Sequence, residues 1–77
     1  MNTIVEFYEH CKEIREDLTL AIYYNSIKYW VVEIGFKVTS PRHDEIIFYD
    51  QNIDKNLVLS KAYVALANFM IKEYGGY

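Results

Sequence analysis

His10 and Cys11 stand side by side, and an imidazole next to a thiol is the pairing that activates a cysteine nucleophile. Neighbouring residues on a helix point about 100° apart, so in a helical segment the two groups diverge. Cys11 shares a stripe with Ile4, Phe7, Ile14 and Leu18, which reads as a small buried hydrophobe. Glu6, His10, Glu13 and Asp17 recur at helical spacing on another face, and carboxylates with an imidazole can hold a divalent metal. One exposed helix cannot complete a coordination shell, so a solvated acidic face is expected there, or one that docks on a basic partner. His43 beside Asp44 has no serine placed by a motif, and a catalytic triad is not supported. Gly35, Gly75 and Gly76 are the only glycines and form no phosphate loop. No paired Cys or His spacing suggests zinc. Few polar groups can converge in a cleft on so small a body. The chain is therefore expected to have no catalytic, metal or cofactor-binding residues and not to be an enzyme.

What the chain has instead is aromatic surface. It holds eight tyrosines, four phenylalanines and one tryptophan among 77 residues. Rings bury large areas at modest entropy cost, which suits a short chain that must build a dense core. The length permits a single domain, 1–77, and the 52% hydrophobic content excludes disorder. Eight Lys and Arg against eleven Asp and Glu give a net charge of −3. That balance argues against a nucleic-acid backbone binder, which carries a basic excess. The longest apolar run falls far short of a membrane span. One cysteine allows no intrachain disulfide, and the N-terminus lacks the pattern of a signal peptide. The cytoplasm is the expected compartment.

The elements that must position these residues follow from periodicity. Thr3 and Glu6 make a capping box for a helix over 4–17. From Leu18 the period becomes two, with Leu18, Leu20, Ile22 and Tyr24 on one face of a strand. Asn25-Ser26 reads as a tight turn. A second strand over 27–38 puts Trp30, Val32, Ile34, Phe36 and Val38 toward the core, with a bulge at Gly35. The stretch 39–44, with the only proline, is a loop, and 46–49 is a third strand whose face is ambiguous because every position is apolar. Asp54 caps a helix over 54–74 that Gly75-Gly76 stop. Two hairpins in series give an α+β fold: a two-layer α-β-β-β-α arrangement, a three-stranded antiparallel meander with two helices on one face. In element order this resembles the double-stranded RNA-binding domain. That domain's sequence signature is missing here, and the basic cluster at the start of its second helix is reduced to Lys55 and Lys61.

Two helices cover one sheet face only. The free face carries Tyr23, Tyr29, Val31, Glu33 and Lys37, with Ile47 and Tyr49 as further candidates. Tyrosine is enriched at protein contacts, and it also suits half-buried pleated positions. The loop 37–44 adds Lys37, Arg42 and His43 near a hairpin tip. The candidate partner-binding residues are thus Tyr23, Tyr29, Val31, Lys37, Arg42 and His43. The second helix is apolar around more than one flank, and Val58, Val64 and Ile71 offer a self-association surface. The function expected is a small protein-binding module. One concrete version is an inhibitor or adaptor of the kind mobile elements such as phages encode. The alternatives are a nucleic-acid binder that stacks bases on the tyrosines and a structural homodimer.

Overall fold

The structure, a computed structural model, describes residues 3–77. Helix α1 spans Ile4–Ile14, and its first turn is fixed by Thr3, whose Oγ1 accepts from the Glu6 amide at 3.2 Å. The helix stops three residues short of the expected 17. Acidic Glu16 and Asp17 are poorly placed at the negative end of a helix dipole. Arg15 is extended and turns its guanidinium onto Asp17 at 2.7 Å and 3.1 Å. Asp17 therefore leaves the acidic row of Glu6, His10 and Glu13.

Strands β1 (Leu18–Tyr24), β2 (Trp30–Phe36) and β3 (Ile46–Asn52) form one antiparallel sheet in that order, and helix α2 spans Lys55–Tyr74. The first hairpin is looser than a two-residue turn. The Asn25 side-chain oxygen takes the amides of Ile27 and Tyr29, and Lys28 adopts a left-handed φ of 71°. That delays β2 from Ile27 to Trp30. Its far end closes when the Lys37 amide donates to the Asp17 carbonyl and Lys37's own carbonyl accepts from Ser40. Strand β3 runs past Tyr49, because Asp50, Gln51 and Asn52 pair with Val32, Val31 and Trp30. Pairing with β2 overrides the poor strand propensity of these polar residues.

Both helices lie on the face formed by Leu18, Leu20, Ile22, Val32, Ile34, Phe36 and Phe48. From α1 come Ile4, Phe7 and Cys11; from α2 come Val58, Ala62, Leu66 and Met70, one residue per turn along a single stripe. Val58 is fully buried in this core and offers nothing to self-association, which corrects the outer surface expected of it. Phe7 stacks on Tyr63 at 4.4 Å between ring centres, and the Tyr8 hydroxyl donates to the Leu18 carbonyl at 2.9 Å. These contacts join α1 to α2 and to the sheet. The register slips between Ile34 and Gly35, where β3 carries an extra residue. This bulge resolves the ambiguity of β3. Ile47 and Phe48 both reach the core side, while Ile46 and Tyr49 are exposed. Ile47 is thereby removed from the free face.

Candidate interaction surface

The uncovered sheet face is a grid of three rows read across β1, β2 and β3. They are Tyr23, Val31 and Gln51; Ala21, Glu33 and Tyr49; and Thr19, Gly35 and Ile46. Tyr23 is 45% exposed, Tyr49 52% and Ile46 63%. Val31 is only 1% exposed although no helix covers it. In an antiparallel sheet, larger neighbours on the same face close over a central valine. Val31 thus supports this face from below and presents no contact area of its own. Tyr29 precedes β2 and is half-buried, its amide held by Asn25 at 3.0 Å.

The other three candidates lie at the far end of β2 from Tyr23 and Tyr29, so the six residues do not form one patch. Arg42 is committed within the fold. Its guanidinium donates twice to Glu45 at 2.8 Å and to Glu73 at 2.6 Å, and it sits 4.8 Å from the Phe36 ring centre. A planar fork favours such bidentate pairing. Arg42 in turn holds the Glu45 carboxyl below its ordinary pKa. Arg42 therefore seals the rim of the helix-covered core and is no free cation at a loop tip. His43 is exposed, with Nδ1 2.9 Å from the Ser40 carbonyl and Nε2 2.9 Å from Asp44. Lys37 is exposed, and its backbone is tied to β1.

Beneath this loop lies a polar clasp that sequence reading missed. Asp17 accepts from the Arg15 guanidinium and from the Ser40 hydroxyl, the latter at 2.7 Å. Arg15 also donates to the Tyr74 hydroxyl at 3.2 Å. The hydrogen bonds from Arg15 and then Ser40 hold the Asp17 carboxyl below its usual value. Ser40 is the one buried polar side chain among the described residues. No local spacing links Asp17 to a residue in a distant loop, so nothing in the sequence signalled it.

The remaining chemistry is sparse. Burial pushes the Cys11 thiol up to about 11, which leaves almost no nucleophilic thiolate near neutral pH. An open, mostly apolar cleft of about 740 Å³ lies between the N-terminal turns of the helices, lined by Ile4, Ile22, Leu59 and Tyr63 with Lys55 at its edge. Its polar groups form no acid–base pair. Among the described residues, no group of three or more His, Cys, Asp or Glu side chains is placed to hold a metal ion. No helix among them is long and apolar enough to cross a membrane.

Most cations are already occupied. Lys55 lies 4.5 Å over the Trp30 ring and Lys61 is 3.5 Å from Asp50, so the two lysines that remain of a basic cluster at the start of α2 each face a partner within the fold. Lys12 lies 5.9 Å over Tyr8. By contrast, Glu9, Glu13, Glu16 and Glu33 have no hydrogen bond or ion pair among the described residues. Set against known protein families, curated proteins and solved structures, the chain matches none of them.

Proposed function

We propose that this chain is a small non-catalytic protein-binding module, an inhibitor or adaptor, that docks through its uncovered sheet face. The observation that carries the reading is that face itself. Tyr23, Tyr49 and Ile46 stand exposed on a three-stranded platform with both helices on the other side. Solvated sheet faces ordinarily alternate to polar residues, and large rings with an isoleucine provide the apolar anchors that protein contacts use. The engaged lysines and the net charge of −3 favour a protein over a nucleic acid as the occupant.

The test is affinity capture from the native host, followed by measured affinity of the recovered protein for variants. Tyr23→Ala with Tyr49→Ala is expected to weaken binding by about a hundredfold, or 2–3 kcal/mol, with little change in salt dependence. Val64→Ala, on the helix layer, should leave it unchanged. Undiminished binding by the double variant would sink the reading. Tight oligonucleotide binding that collapses with salt would favour the tyrosine stacking platform instead. A second reading, self-association, draws on Val64 and Ile71, which are 58% and 51% exposed one above the other on α2. Sedimentation giving a clean monomer at micromolar concentration removes it.

A further inference from the structure

We infer that the partner brings a cationic side chain, an arginine or a lysine, to a socket centred on Glu33. This rests on the reading of the uncovered sheet face as the docking surface. Glu33 occupies the middle of that grid, with Ala21 directly opposite on β1 and Tyr49 directly opposite on β3. Along its own strand it stands between Val31, which is buried, and Gly35, which has no side chain. Ala21 thus offers only a methyl beside the carboxylate, and toward Gly35 the Glu45 carbonyl and the Thr19 hydroxyl lie 3.4 Å and 3.8 Å from where a Cβ would stand, so the groups bordering Glu33 on those sides are a methyl and two uncharged oxygens. Tyr49 flanks it across one strand gap and Tyr23 across one diagonal, distances of about 5 Å and about 7–8 Å between side-chain bases. A guanidinium or ammonium resting on the carboxylate comes within the roughly 6 Å at which an aromatic face attracts a cation.

The charge balance makes this more than a fit. Glu33 is half-buried and has no hydrogen bond or ion pair among the described residues. Its neighbours on the face are Thr19, Ala21, Tyr23, Val31, Tyr49 and Gln51, none of them cationic. A protein that covers this face takes the Glu33 carboxylate out of water. An uncompensated charge under an interface is strongly unfavourable, so an occupant without a cation is rejected and one with a cation is selected. The unpaired Glu9 and Glu13 on α1, with Glu16 just beyond it, add to a negative field that speeds the approach of such a partner.

The experiment uses the intact 77-residue chain, nitrogen-15 labelled, titrated at low salt with a capped tetra-arginine peptide and with its tetra-citrulline counterpart. The two probes match in shape and differ in charge. The arginine peptide is expected to shift the amide resonances of Ala21, Tyr23, Glu33 and Tyr49 in a saturable way, and the citrulline peptide to bind at least about tenfold more weakly. Glu33→Gln, isosteric and with its own spectrum as the check on folding, should weaken the arginine peptide by about tenfold, whereas Glu13→Gln on α1 should change it by less than about twofold. Shifts confined to Glu9, Glu13 and Glu16, no saturable shift, or full affinity in Glu33→Gln overturns the inference. Equal binding of both peptides at the sheet face also overturns it, while leaving the docking surface standing. If in addition Tyr23→Ala and Tyr49→Ala leave that binding unchanged, the docking surface falls too.

Discussion

Asp17 shows how much one side chain can hold together in so short a chain. Its carboxylate joins Arg15, Ser40 and, through Arg15, Tyr74, so one ion pair ties together three separate parts of the sequence. Hydrogen bonds to a charged group are worth about 1.5–3 kcal/mol, and Asp17→Asn is expected to cost about that much in urea unfolding. The pH dependence has a definite sign. The Asp17 and Glu45 carboxyls are held below their ordinary values by Arg15 and Arg42, so their stabilisation is complete above the unfolded-state pKa near 4. It is lost as pH falls through the lowered folded-state values. Melting temperature measured downward from about pH 7 should drop steeply below about pH 4, and less steeply in Asp17→Asn. An equal slope in the variant contradicts the clasp. At this scale the sequence was legible where a partner is local, as in the Thr3 and Asp54 caps, and silent where it is distant, as in the bond between Ser40 and Asp17.

Each element obeys its own period, and its neighbours then edit its ends. In α2, the stripe Val58, Ala62, Leu66 and Met70 is wholly buried while Val64 and Ile71 face outward. Leu66→Ala is expected to lower unfolding free energy by about 2–5 kcal/mol through a lost methylene cluster and the cavity left behind. Val64→Lys should change it by no more than about 0.5 kcal/mol. Comparable losses from both would mean that the outer flank is covered. The helix was recognisable from its caps and its length. Its apolar width was misleading, because spacing alone does not distinguish the stripe that meets the sheet from the flank that meets solvent. Strand β3 repeats the lesson. With Ile46, Ile47, Phe48 and Tyr49 all apolar, alternation carried no information, and the bulge opposite Gly35 decided which side chains turned inward. Strand β2, with its clear alternation from Trp30 to Phe36, was legible in facing though not in its ends.

The molecule as a whole is a single layer of helix laid on a single layer of sheet, and all five elements contribute to one core. That asymmetry could be deduced from element order, because two helices can cover only one side of three strands. The identity of the candidate contacts was less accessible. Exposure of Tyr23 followed from the period of β1, whereas burial of Val31 and capture of Arg42 depended on neighbours across the sheet and on α2. Glu33 belonged to the free face by alternation, but its lack of a counter-charge emerges only when every cation has been located.

The clasp around Asp17 sits at the end of the sheet where β1 begins and β2 finishes, and the Arg42 contacts lie at the same end. The opposite end, around the hairpin 25–29, has no ion pair among the described residues and is held by the Asn25 hydrogen bonds to Ile27, Tyr29 and Gln51, by Tyr24 against Trp30 and by Lys55 over Trp30. Amide hydrogen exchange should therefore be slowest in Thr19 and Gly35, a bonded pair near the clasp, and grow faster toward Tyr23 and Val31. A uniform rate along the strands would contradict this gradient. The structure is thus bolted at one pole and sprung at the other, and Tyr23 rides on the sprung pole. A visitor to that side meets a surface able to yield a little in shape, while the anchored pole keeps the rest of the body from yielding with it.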